Sequence, residues 1–252
     1  MVDQRLDSAL VERGVCDSRE KARLAVLAGR VTINRHPARK PSDRVRPSDL
    51  LELTVPDKYV SRGGLKLERA LKEFHLDVTS LTAVDIGAST GGFTDCLLQN
   101  GAAKVFAVDV GHGQLAWKLR QDPRVVVMER VNARNLSPAR FPQPYSPPDL
   151  AVIDCSFISL KKILPIAVEL TGASGRILAL IKPQFEAGKT EADKGKGVIT
   201  DPAIHERVLR ELEAFAGTLP GLRWLGSTES PLLGPAGNRE FFALMHKTAA
   251  LI

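Results

Sequence analysis

The chain is short of the residues that hold many small or secreted proteins together. It has three cysteines, Cys16, Cys96 and Cys155, too far apart for a metal-type spacing. They read as reduced thiols rather than a disulfide frame. No apolar stretch approaches the ~20 residues needed to span a bilayer. The start, Met1-Val2-Asp3-Gln4-Arg5, lacks the basic and apolar regions of a signal peptide. These absences lead to the expectation of a soluble, cytoplasmic protein. No Gly-Lys-Ser/Thr follows a glycine-rich turn, which disfavours nucleotide triphosphate hydrolysis. The five histidines, His36, His75, His112, His205 and His246, show no paired ligand spacing, and no metal is expected.

What is present suits one large or two unequal domains: 252 residues, 44% of them hydrophobic. The net charge of +6 and a sequence pI near 9.3 favour a polyanionic partner.

Residues 5–14 read as a short helix with Leu6, Ala9 and Leu10 on one face and Gly14 at its end. Asp17 or Ser18 can cap a second helix over 19–28, stopped by Gly29. Two strand-like stretches follow, 31–34 and 50–55, separated by a basic loop. Between Arg19 and Arg46 stand nine basic residues against Glu20 and Asp43, a local +7. A solvated helix face would account for some of this charge. Its continuation through the loop after the second helix suits a phosphate backbone.

The run Arg5-Leu6-Asp7, Ser18-Arg19-Glu20-Lys21-Ala22, Gly29-Arg30-Val31-Thr32-Ile33-Asn34 and Pro41-Ser42-Asp43 resembles an S4 domain, a small α+β RNA-binding module. The resemblance implies that Arg5, Arg19, Lys21, Arg23, Arg30 and Arg35 meet RNA. The expected organisation is an S4-like domain over 1–55, a linker over 56–60 and a second domain over 61–252.

From Leu81 the pattern alternates. Strands are expected at 83–86, 105–109, 125–128, 150–153 and 177–181, with helices at 91–99 and 114–120. Such alternation implies an α/β, Rossmann-like fold with a mostly parallel sheet, whose ligands bind beyond the carboxyl ends of the strands. The first strand runs into Gly87-Ala88-Ser89-Thr90-Gly91-Gly92. Against the dinucleotide fingerprint, the first and third glycines are present and the second is Ser89. That second glycine lets the backbone approach a pyrophosphate, so its absence argues against NAD or FAD and points to S-adenosylmethionine. Asp109, 22 positions after Gly87, stands where a carboxylate accepts ribose hydroxyls. Asp85, inside an apolar strand, needs a partner: the loop's amides, or the methionine ammonium through a water. The candidate cofactor residues are Asp85, Gly87, Ser89, Gly91, Gly92, Phe93 and Asp109.

Four charged residues complete the candidate site. Lys66 lies on the helix before the first strand, Asp154 and Lys182 just past the fourth and fifth strands, and Glu240 at the start of a later strand. Two lysines and two acids converging on one crevice are the parts needed to activate a sugar hydroxyl. A lysine there could act as base, if its pKa is depressed, or stabilise the developing alkoxide as a cation.

Ser61-Arg62 through Lys66-Leu67, Asp85-Ile86-Gly87 with Gly91-Gly92-Phe93-Thr94, Asp154-Cys155-Ser156-Phe157, Ile181-Lys182-Pro183-Gln184-Phe185-Glu186 and Asn238-Arg239-Glu240-Phe241 resemble the FtsJ-type ribose 2′-O-methyltransferases. With the S4 module in front, nearly the whole chain resembles the TlyA (hemolysin A) family. The resemblance implies a Lys66-Asp154-Lys182-Glu240 tetrad, S-adenosylmethionine as cofactor, ribosomal RNA or a ribosomal subunit as partner, and 2′-O-methylation of cytidine, with large-subunit RNA ranked before small-subunit RNA. The alternatives are a noncatalytic ribosome-assembly factor and, with no long apolar span to support it, a pore-former. Residues 186–197, rich in glycine and lysine, read either as a surface loop or as a lid over RNA.

Overall fold

A computed structural model describes residues 3–54, 57–188, 191, 193 and 195–248. The chain divides into two compact units, Met1–Asp57 and Lys58–Ile252. Of the expected linker, Pro56 lies outside the described residues, as does Val55 of the expected strand over 50–55.

In the first unit, β1 (Gln4–Arg5) leads into α1 (Leu6–Glu12), then α2 (Arg19–Leu27), β2 (Val31–Ile33), β3 (His36–Pro37), β4 (Arg44–Val45) and β5 (Leu51–Leu53). Ser18 caps α2, its Oγ accepting from Lys21 N at 3.2 Å. Strands pair in the order β3-β2-β5, and β1 pairs separately with β4. The turn between β2 and β3 places Asn34 and Arg35 at φ +52° and +67°. Asn34 tolerates that region and secures it, accepting from Leu50 N at 2.8 Å and donating to Asp49 Oδ1 at 3.0 Å. Leu6, Leu10, Ala22, Val26, Val31 and Val45 fill the core.

The second unit opens with α3 (Gly63–Glu73) and continues through β6 (Thr82–Ile86), α4 (Gly92–Gln99), β7 (Lys104–Val108), α5 (Trp117–Arg120), β8 (Val125–Met128), β9 (Leu150–Ile153), α6 (Leu164–Leu170), β10 (Arg176–Ile181), α7 (Pro183–Glu186), α8 (Pro202–Gly217), β11 (Leu222–Glu229) and β12 (Phe241–Lys247). The sheet order is β11-β12-β10-β9-β6-β7-β8. β10, β9, β6, β7 and β8 are parallel, and β12 runs antiparallel between β10 and β11. The parallel strands are apolar runs because both faces are covered. Alternate residues divide between two cores: Val84, Ile86, Ala151 and Ile153 on one face, Ala83, Val152 and Leu180 on the other.

The five strands expected between 83 and 181 appear within a residue of their positions, whereas the strand expected over 50–55 is the shorter β5. The helix expected over 114–120 begins only at Trp117, because Ala116 is extended (ψ 140°) and its N–H goes to Thr90 O at 3.1 Å. β11 was not anticipated. Strand order reverses between β6 and β9, where a ligand of such a sheet binds.

Candidate active site

β6 delivers the glycine loop to that reversal. Gly87 sits at φ +91°, and a Cβ there would stand 2.7 Å from the carbonyl oxygen of Asp154 at the end of β9. Only glycine lets the two strand ends approach so closely. Asp109, just past β7, holds two loops at once: Oδ2 accepts from Ser89 N at 2.8 Å and Oδ1 from Gly111 N at 2.6 Å. Each oxygen keeps a second lone pair for a ligand hydroxyl.

The helix N-termini of α3 and α4 cross beside this loop. A Cβ on Gly92 would meet Ser61 Oγ at 2.2 Å and Gly64 N at 2.9 Å, and one on Gly64 would strike the Tyr59 ring at 2.3 Å. The crossing explains the paired glycines of Ser61-Arg62-Gly63-Gly64-Leu65-Lys66 and carries Lys66 inward, where it is buried. Gly92 and Phe93 line the resulting cavity with Gly87 and Ser89. Gly91 does not: it turns left-handed at the start of α4, with Leu115 and Leu119 packed where a side chain would go. Its place is dictated by packing, which a sequence pattern does not separate from ligand contact.

Asp85 is fully buried on β6. Its Oδ2 accepts from Thr94 N at 2.9 Å and Thr94 Oγ1 at 2.7 Å. Its Oδ1 is buried without a hydrogen-bond partner among the described residues, and Asp85 lines the cavity. Burial pushes this carboxyl up to about 7; the Thr94 hydroxyl opposes the shift and the charge of Asp154 adds to it. An orphaned carboxylate oxygen of this kind fits a cationic ligand group.

All four expected charged residues line one cavity of about 290 Å³. They form two ion pairs. Lys66 Nζ lies 2.5 Å from Glu240 Oε2, the latter side chain 1% exposed. Lys182 Nζ lies 2.6 Å from Asp154 Oδ1 and donates to Ser156 Oγ at 2.9 Å. The Lys182 pair is the more open to water, Asp154 retaining 25% side-chain exposure. The buried pair therefore reads as the support and the open pair as the reacting face.

A second cavity of about 1160 Å³ adjoins the first, sharing Gly87, Ser89, Asp154 and Ser156 and containing Asp109. Phe157 stands at its edge at φ +63°, 90% exposed, with its ring 5.1 Å from that of Phe185. Sequence reading placed Phe157 in a motif but gave it no role; its strained backbone and exposure single it out. The thiol of Cys155 beside it is pushed up to about 12, chiefly by burial, which leaves it protonated and unreactive at neutral pH.

Of the residues expected to meet RNA, Arg5 and Arg19 both engage the buried Asp7, at 2.8 Å and 3.4 Å, and Lys21 pairs with Asp17 at 2.6 Å. Arg5 holds the Asp7 carboxyl down at about 2. Arg23, Arg30 and Arg35 are exposed and make no ion pair among the described residues. Part of the expected loop over 186–197 lies outside the described residues; of its start, α7 ends with the Glu186 carboxylate accepting from Ser159 Oγ at 2.6 Å and Leu160 N at 2.7 Å.

The sequence pattern of the FtsJ-like methyltransferases matches residues 59–247, and that of the S4 domain matches residues 4–51. Bacillus subtilis YqxC, named as an rRNA methyltransferase, is 50% identical over 246 residues, covering 96% of this chain and 85% of its own. The Mycobacterium tuberculosis 16S/23S rRNA (cytidine-2′-O)-methyltransferase TlyA is 45% identical over 240 residues, covering 94% and 88%. A solved Streptococcus thermophilus structure bearing the name hemolysin superposes with a TM-score of 0.73 at 44% identity, covering 99% and 90%. Among the described residues no helix is long and apolar enough to cross a membrane.

Proposed function

Because this chain belongs to the FtsJ-like methyltransferase family and carries an S4 domain, we propose that it methylates the 2′-hydroxyl of a cytidine in ribosomal RNA. The observation that carries this reading is the pair of Lys–acid contacts, Lys66–Glu240 and Lys182–Asp154, gathered in one cavity beside the glycine loop. The names of relatives sharing 45% identity or more support the substrate class. Large-subunit RNA ranks first and small-subunit RNA second as target.

The residues fit S-adenosylmethionine. The orphaned Asp85 oxygen suits the methionine ammonium, Asp109 the ribose hydroxyls, and Ser89 stands where a pyrophosphate would need glycine. Bound there, the cofactor supplies an electrophilic methyl group on a sulfonium. Lys182 sits at the open face, where it takes up the proton of the attacking 2′-hydroxyl or neutralises the alkoxide that forms. Asp154 holds Lys182, while the buried Lys66–Glu240 pair fixes the cavity wall. The 2′-oxygen would gain the methyl group that the bound cofactor gives up as a neutral thioether, and its proton would pass to Lys182 or to water. Alignment supplies much of the acceleration in such an in-line transfer.

The test is incubation of purified protein with labelled S-adenosylmethionine and separated ribosomal subunits, followed by mass-spectrometric mapping. A methyl on a cytidine ribose is expected from the wild type and none from Lys182→Ala, whose cofactor affinity stays near wild type. Wild-type turnover by Lys182→Ala would sink the catalytic assignment, and a methyl on a base would sink the ribose assignment.

A further inference from the structure

Asn238 belongs to the Asn238-Arg239-Glu240-Phe241 motif, yet the reading above uses only Glu240. Its side chain is buried, with Asn238 1% exposed. Both ends of its amide are committed: Oδ1 accepts from Ile199 N at 2.9 Å and Nδ2 donates to Gly197 O at 2.8 Å. The carbonyl of Ile199 lies 3.0 Å from His205 Nε2 on α8. An amide side chain is suited to this task because it offers a donor and an acceptor to two backbone groups at once. Gly197 and Ile199 are thereby fastened beside the start of β12, two residues from Glu240.

The Lys182 side of the site is fastened separately. Lys182 is followed directly by α7, and Glu186 at the end of α7 binds Ser159 and Leu160, just beyond the Asp154 turn. Lys182 is thus tied to the Asp154 side through Glu186. Ile181 before it pairs with Phe241, next to Glu240, and Asn238 fastens the approach to β12.

Resting on the tetrad reading above, we propose that Asn238 is a positioning residue. It fixes the Lys66–Glu240 pair relative to the Lys182–Asp154 pair without touching substrate. Losing its amide leaves the buried N–H of Ile199 unpaired and releases the carbonyl of Gly197. It also frees the two pairs to shift by the fraction of an ångström to which aligned transfer is sensitive.

The test uses the full-length chain with Asn238→Ser and Asn238→Asp. The second is nearly isosteric and keeps the acceptor for Ile199, so it serves if the first is unstable. Turnover, KM for cofactor and RNA, and the NMR signals of the Lys66 and Lys182 side chains are measured. The expected result is turnover reduced about tenfold or more, cofactor KM within about twofold of wild type, and both lysine signals displaced. A loss confined to KM would overturn the proposal, as would wild-type turnover with unmoved lysine signals. If the unsubstituted protein transfers no methyl to RNA, the functional reading fails on its own. The lysine signals then decide for Asn238: displacement supports the positioning role and unmoved signals refute it.

Discussion

Lys66 and Glu240 are 174 positions apart in the chain, and the ammonium of one lies 2.5 Å from a carboxylate oxygen of the other, with little access to water. Burying two charges is costly unless they face one another, so removing a single partner strands the other in a low-dielectric wall. Glu240→Gln and Lys66→Met are each expected to lower stability by about 3–5 kcal/mol. The double substitution should recover about half of that loss or more, while restoring no methyl transfer. Urea unfolding of the three variants checks this. Additive losses in the double variant would mean that the pair is not coupled in solution.

Asp85 is expected to make the stability of the second unit depend on pH. Its carboxyl is pushed up from 3.8 to about 7 in the folded protein, chiefly by burial. The folded state therefore holds this proton after the unfolded chain has released it. The stability that comes from the neutral carboxyl is fully present below about pH 4 and is lost as pH rises through about 7. Asp85→Asn keeps an oxygen for Thr94 and removes the ionisation. Relative to that variant, the wild type should lose stability between these limits and level off above them, as read from unfolding midpoints. Cofactor affinity should move the opposite way, rising through about pH 7 as Asp85 ionises to face a cation. A pH-independent difference between wild type and variant would remove Asp85 from this role.

The parallel sheet was legible because its strands are short apolar runs bounded by turn residues, as at Val125–Met128 and Leu150–Ile153. The crevice was legible for a related reason: residues just past parallel strands share one sheet edge, which gathers Gly87, Asp154 and Lys182. The edge strand Leu222–Glu229 escaped notice, although its burial alternates along its length. Its exposed polar positions, including Arg223 and Ser227, interrupt the apolar run that marks a central strand. Gly91 was read as a ligand residue, and the packing of Leu115 and Leu119 that also requires a glycine there was not legible. Asn238 was read as part of a motif, but its contacts could not be, because its partners are backbone atoms of a segment about forty positions away.

The ion pairs in the first unit divide its basic residues into two kinds. Arg23, Arg30 and Arg35 are exposed and make no ion pair among the described residues, so changing all three to Glu should weaken RNA binding and reduce the salt slope by ~2–3. Arg5 and Arg19 neutralise the buried Asp7, whose carboxyl is held at about 2. Changing either should destabilise the unit as well as weaken binding, an effect that Asp7→Asn should lessen. Filter binding across a salt series, with thermal unfolding alongside, separates the two. Equal salt slopes for wild type and the triple variant would show that the basic strip does not contact phosphate.

Phe157 supplies the remaining prediction. A bulky residue at φ +63° is an outlier, and 90% exposure means that no packing against the core explains it. The strain presents an aromatic face at the rim of the cavity that holds Asp154, with Phe185 behind it. A base displaced from its helix so that its ribose can reach Lys182 needs such a surface, since it has left its stacking partners. Stacking on an aromatic side chain contributes ~1–3 kcal/mol per base, so Phe157→Ala should lower kcat/KM for RNA roughly fivefold to 150-fold. Cofactor affinity should not change. Phe157→Trp should retain most activity, because it keeps a stacking face, while Phe157→Leu should resemble Ala. If Leu matches the wild type, the residue serves as an apolar wedge and not as a stacking platform.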